Sequence, residues 1–144
     1  MQLTRPLVAL TLALALALGL AGCGGDDESK ELISKQEFLD QGNTICSAGN
    51  LAVDEIGASI DRNDQEQLLA AIKEQVVPLV RGQIDDLRAL GYPDGDKDTL
   101  EAIYTDTEEV LDTWEDDPSQ ALVDERMAPI NERLGDYGLT KCAG

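Results

Sequence analysis

The chain has 144 residues, 29 of them acidic and 11 basic, a formal net charge of −18 and no histidine. That charge argues against nucleic acid, whose affinity comes largely from Lys and Arg on phosphate, and against adhesion of the protein surface to anionic head groups. Without histidine, the Ser-His-Asp and Cys-His arrangements and histidine-ligated zinc are ruled out.

Met1 to Pro6 is short and carries one basic side chain, Arg5. Leu7 to Leu18 is an apolar run broken only by Thr11, too short for a membrane span of roughly 20 residues. Small residues follow, and Leu20-Ala21-Gly22-Cys23 closes the run. This is the build of a secretory signal, and its last four residues resemble the bacterial lipobox. The resemblance implies diacylglyceryl transfer to the Cys23 thiol and cleavage before it. The alternative is an ordinary signal peptide with a chance cysteine. Residues 1–22 are therefore expected to be a lipoprotein signal peptide. The chain is expected to be exported and lipid-anchored, reaching the membrane through Cys23, because two acyl chains anchor stably where one does not.

Removing residues 1–22 takes away Arg5 and no acid, so 11 basic residues become 10 against 29 acids, a net charge of −19. The remaining length suits one domain with a single core. The acids spread along the chain, which fits a solvated surface that aids solubility; the alternative is a cationic ligand or a basic partner. Neither common glycine-rich phosphate loop occurs, and no cofactor or metal is expected.

Of the 3 cysteines, lipidation of Cys23 leaves Cys46 and Cys142. Outside the membrane two cysteines allow one intramolecular bridge. Closing nearly the whole domain, it is worth about 4–5 kcal/mol in the chain-entropy model. A redox-active pair is the alternative, but such pairs usually lie close in sequence as Cys-X-X-Cys.

Residues 23–31 form the lipidated cysteine and a flexible acidic tether. Gly24 to Lys30 has no apolar residue to bury and extends on the order of 25 Å, keeping residues 32–144 close to the membrane. The first helix opens with a capping box, Ser34 with Glu37, and a hydrophobic staple, Ile33 with Phe38. Phe38, Gly42, Ile45, Cys46, Gly49, Val53, Ile56 and Ile60 recur at helical spacing. The small residues of this stretch would let another backbone approach. Asn43, Ser47 and Asn50 sit on neighbouring turns beside Cys46 and form a candidate polar cluster. A buried cluster with internal partners is preferred to a ligand site.

Asp64 with Gln67 caps the second helix, whose stripe runs from Leu68 to Leu90. Pro78 inside it should kink it near Glu74. Gly91 is placed to end it, followed by Tyr92 and Pro93. Asp94, Asp96 and Asp98 match the opening of a calcium loop, but Thr99 and Thr105 stand where Gly and Glu are needed. A turn whose acids cap and charge a third helix is preferred. That helix carries Leu100, Ile103, Tyr104, Thr107, Val110, Leu111 and Trp114. Asp117-Pro118 opens a fourth, with a stripe of Leu122, Val123, Met127, Ile130, Leu134 and Tyr137. Pro129 should kink it near Glu125. Gly138 ends it in a Schellman motif with Leu134 and Leu139, and the tail to Cys142 can fold back.

Ser34-Lys35-x-x-Phe38, Ile45-Cys46-x-x-x-Asn50, Pro93-x-Gly95-Asp96 and Tyr137-Gly138-Leu139-x-x-Cys142, in this order, resemble a group of small secreted or lipid-anchored proteins of high-GC Gram-positive bacteria. The resemblance spans nearly the whole mature domain and implies a helical domain bridged by Cys46 and Cys142, on the outer face of the cytoplasmic membrane. It brings no catalytic residues with it.

The expected fold is all-α, an antiparallel up-down four-helix bundle with proline-kinked second and fourth helices. The expected function is a non-enzymatic binding or interaction module of the cell envelope, its partner an envelope protein or a small ligand held between helices. The alternatives are a structural or regulatory partner of a membrane complex, using acidic surface against basic, and last a carboxylate-dependent hydrolase.

Overall fold

Ser34 and Asp64 start the first two helices as their local chemistry dictates. The Ser34 hydroxyl accepts the Glu37 N–H at 3.2 Å, and helix α1 runs Lys35–Ser59. Asp64 accepts the N–H groups of Glu66 and Gln67, and α2 runs Gln65–Ala71. The computed structural model describes residues 32–144. The expected signal peptide, the expected lipidation at Cys23 and the expected tether lie outside the described residues.

From α2 the chain continues without a break through a π-helical segment, Ile72–Val76, into α3, Val77–Ala89. The Val77 N–H donates to the Ile72 carbonyl, five residues back. Pro78 has no N–H to offer the Glu74 carbonyl, and a widened π turn just ahead of it is one way a helix carries that gap. Gly91, at φ +82°, turns the chain after α3, and its N–H donates to the Arg88 carbonyl at 3.1 Å. Helix α4 covers Lys97–Asp116. Asp98 stands in its first turn, but the Asp96 side chain does not cap it.

The fourth expected helix is two elements. A 3-10 segment, Pro118–Leu122, is capped by Asp117, which accepts the Ser119 N–H. Val123 then leaves the helical region at φ −133°, and Asp124 accepts the Arg126 N–H at 2.9 Å in a local turn. Helix α5 begins afresh, Met127–Tyr137. Pro129 therefore lies in a first turn, where its missing N–H costs no bond, rather than kinking a longer helix near Glu125. Leu122 and Val123 consequently miss the core and are 52% and 72% exposed. Gly138, at φ +112°, ends α5. Its N–H donates to Gly135 and Leu134, and the Leu139 N–H donates to Leu134 at 2.9 Å, the paired bonds of a Schellman ending.

The described residues form an all-helical bundle with no strand. Helix α1 packs on α3, α3 on α4, and α4 on α5. Phe38, Leu100, Leu111 and Leu139 have no solvent exposure, and Tyr104 has 1%. The buried stripe of α1 is Phe38, Gly42, Cys46 and Gly49. Beyond Gly49 the helix runs on without a buried residue, Val53 being 37% exposed.

Candidate functional site

Two glycines of α1 let side chains come close. A methyl at Gly42 would stand 2.7 Å from Leu139 Cδ2 and 3.1 Å from Leu87 Cδ2. One at Gly49 would overlap the Gln83 side-chain amide. The expected close approach is real, but its partners are side chains of α3 and the C-terminal tail, not another backbone.

The tail is fastened to α1 at three points. Cys46 and Cys142 stand at disulfide distance, Cα to Cα 5.0 Å. Asn43 donates through Nδ2 to the carbonyls of Leu39 and Gly138, and its Oδ1 accepts the Lys141 N–H. Asn50 donates to the Lys141 carbonyl at 2.8 Å. The two asparagines thus hold both main-chain polar groups of Lys141, one turn either side of Cys46. Ser47 is half-buried but makes none of these contacts. The expected cluster is a clasp for the tail built from Asn43 and Asn50.

Beneath the clasp lies a cavity of 210 Å³. Cys46, Asn50 and Val53 contribute from α1, and Val80, Gln83, Ile84 and Leu87 from α3. Tyr104 and Thr107 come from α4, and Met127, Asn131 and Leu134 from α5; Cys142 completes the wall. No charged side chain lines it. The Tyr104 hydroxyl is buried with no hydrogen-bond partner, an unusual state for a buried polar atom. Burial also pushes its pKa well above the usual phenol range. Thr107, by contrast, donates to the Ile103 carbonyl at 2.8 Å. Gln83 lies between two spaces, because it also lines an outer groove with Ile45, Ala48, Pro78 and Leu79.

One face of Tyr104 is backed by an ion network that ties α3 to α4. The Arg88 guanidinium sits 5.5 Å from the Tyr104 ring centroid. It binds Glu108 at 2.6 Å and Glu101 at 3.1 Å. Tyr92 donates to Glu101 through its hydroxyl. The Tyr92 and Arg88 bonds hold the Glu101 carboxyl below the usual range, and Arg88 does the same for Glu108. Desolvation and the Glu101 bond push the Tyr92 hydroxyl up to about 12. Sequence reasoning missed this network. Its one available signal is the spacing of Glu101 and Glu108, seven residues and two turns apart on one helix face.

Asp96, considered above as a calcium-loop residue, accepts from Tyr137 at 2.7 Å and from Lys35 at 3.1 Å. Those two bonds lower its carboxyl pKa. The Lys35 ammonium also lies 3.7 Å from the Tyr137 ring centroid, so the group ties α1 to α5. Among the described residues no set of three His, Cys, Asp or Glu is placed to hold a metal ion, and no helix is long and apolar enough to cross a membrane.

Compared with protein-family models, curated proteins and solved structures, the chain finds no significant match in any of the three.

Proposed function

We propose that the chain is a non-enzymatic lipoprotein of the cell envelope and that its helical domain binds a small ligand in the cavity between α1, α3, α4 and α5. The observation that carries this reading is the cavity itself: 210 Å³, lined by four helices and the tail, mostly apolar with the Gln83 and Asn131 side chains among its few polar groups. Ligand sites in helical bundles take this form, apolar with a few polar groups.

Cys23 is the anchor in this proposal, acylated after cleavage of residues 1–22 and seated on the outer face of the cytoplasmic membrane. The bundle is of the antiparallel up-down kind, which the serial packing of α1 on α3, α3 on α4 and α4 on α5 supports. The π segment before Pro78 supports a bend in the second helix.

The test is a titration of the full chain in lipid nanodiscs with benzene, followed through methyl NMR signals. Shifts confined to Val80, Ile84, Leu87 and Leu134 bear the reading out. Unmoved methyl signals at saturating benzene overturn it.

A second reading is attachment to a membrane complex with a basic surface. Its support is the adjacent exposed pair Leu122 and Val123 on an acidic protein. Photo-crosslinkers placed at both positions in cells would capture one dominant partner under that reading. No dominant product sinks it.

A further inference from the structure

Among the described residues, one face of the α1–α3 pair is left uncovered. A groove runs along it in two sections, 560 and 370 Å³, which meet at Leu79. Ile45, Ala48, Ala52 and Ile56 recur on its α1 side at three- and four-residue steps, with Pro78 and Leu79 opposite them. No residue of α4, α5 or the C-terminal tail lines it. Its middle is open space: a methyl built on Gly82 would meet nothing within 4 Å. From Thr44 to Ser59 the groove follows α1 for about 22 Å, at 1.5 Å of rise per residue.

Shape and charge together limit what can lie there. A furrow between two packed helices takes a ridge of side chains from a third helix, and alanines at 48 and 52 let that helix come close. No strand edge is present among the described residues to template an extended peptide. No lysine or arginine lines either section, and each section carries one carboxylate, Asp86 in the first and Glu55 in the second. Both acids are exposed. The cations that form ion pairs in the described residues, Lys35, Arg81, Arg88, Arg126 and Arg133, go to other acids. A second copy of this chain would bring its own net charge of −18 against them. Anionic head groups meet the same repulsion. A basic helix meets attraction instead.

We infer that the α1–α3 groove docks an amphipathic helix of a partner protein, its apolar stripe on Ile45, Ala48, Ile56 and Leu79 and its basic residues at both ends, toward Asp86 and Glu55. The groove shares only Gln83 with the cavity, and neither Leu122 nor Val123 lines it. It therefore stands independently of both readings above.

The probes are three synthetic helical peptides of about 15 residues, matched to the groove at 1.5 Å per residue. The first has a leucine stripe with lysines at both ends. The second keeps the stripe and has glutamates at the ends. The third has the composition of the first with the stripe scrambled. Each is titrated at low salt into the full chain in nanodiscs of phosphatidylcholine, which carries no net charge, with empty nanodiscs correcting for partition. The readout is the methyl signals of Ile45, Ile56 and Leu79. The lysine peptide should shift these signals and bind about threefold to thirtyfold more tightly than the glutamate peptide, the worth of two exposed charge pairs. The preference should shrink as salt is raised and vanish in Glu55→Lys with Asp86→Lys. Gly82→Tyr points into open space from an exposed helical position, so it should fold as well as wild type and weaken the lysine peptide about tenfold or more by blocking the groove. Equal binding of the scrambled peptide overturns the inference, as does binding that survives Gly82→Tyr. Shifts at Leu122 and Val123 in place of the groove methyls overturn it too, and so does self-association that moves the groove methyls with no peptide present. No shift with millimolar lysine peptide has the same consequence.

Discussion

The side-chain carbonyl of Asn43 accepts the main-chain N–H of Lys141 at 2.8 Å, across 98 positions of chain. The same amide donates to Leu39 and Gly138, so one residue of α1 satisfies three backbone groups around the C-terminal turn. Asn43→Ala leaves the Lys141 N–H and the Gly138 carbonyl without their partner, and a loss of about 1–3 kcal/mol is expected. Asn50→Ala, at an exposed position with one bond, should lose about 1 kcal/mol or less. Urea denaturation of the two variants under oxidising conditions checks the ranking. Equal losses would mean that the tail is not held as described.

Cys46 pairs with Cys142 across a sequence separation of 96. Cys46→Ser with Cys142→Ser should cost about 4–5 kcal/mol on the chain-entropy account. Alkylation of the denatured, unreduced mature protein should find neither thiol free. Two alkylated thiols at these positions would exclude the bridge.

Tyr104→Phe removes a buried hydroxyl that has no partner. The unliganded protein should therefore be as stable as wild type or more so, by up to about 1 kcal/mol. Thermal unfolding without ligand decides this, and a clear loss would reveal a bond at that hydroxyl.

The two glycines of α1 should respond differently to alanine. Either substitution gains about 0.5–1 kcal/mol in helix propensity. At Gly42 the new methyl meets Leu139 and Leu87, both buried core residues, and overpacking of that kind typically costs about 1–3 kcal/mol. At Gly49 it meets only the far end of Gln83, which can swing aside. Gly42→Ala should be the less stable variant by chemical denaturation. The reverse order would mean that Gln83 is locked in place.

The Arg88 network sets the pH dependence. Glu101 and Glu108 have carboxyl pKa values below their ordinary 4.5. Their contribution is present above pH 4.5 and is lost as pH falls through the lowered values. Acidification also relieves self-repulsion of a −18 chain, so the useful quantity is the difference from a variant at each pH. Arg88→Met should be about 1–2 kcal/mol less stable at pH 7, with the gap closing below pH 4.5. A gap constant down to pH 3 would separate Arg88 from these carboxyls. At the other extreme, Tyr92 is raised from 10.0 to about 12, so its contribution is complete below pH 10 and is lost as pH climbs through about 12.

What could be read from the chain was what depends on neighbours within a turn or two. Ser34, Asp64 and Asp117 cap helices because each side chain reaches an N–H two or three residues ahead. Gly138 ends α5 because its φ of +112° suits glycine. The apolar stripes located the core for the same reason, since helical period alone aligns Leu100, Ile103, Thr107 and Val110. Two local readings failed: the Asp96 side chain does not cap α4, and Pro129, taken to interrupt a helix, instead helps to begin one. The overlooked signal was Asp124, whose side chain turns the chain at Arg126.

The sequence by itself determined the all-helical class, the helix starts and the pair of cysteines placed to meet, because each follows from short-range chemistry or from counting. The tertiary structure decided the rest. Asn43 and Asn50 became a clasp on Lys141 only when the tail returned across more than 90 positions to α1. Arg88 found Glu101 and Glu108 only across the α3–α4 packing. The cavity has no sequence signature at all. It is space left where four helices and a tail fail to fill each other.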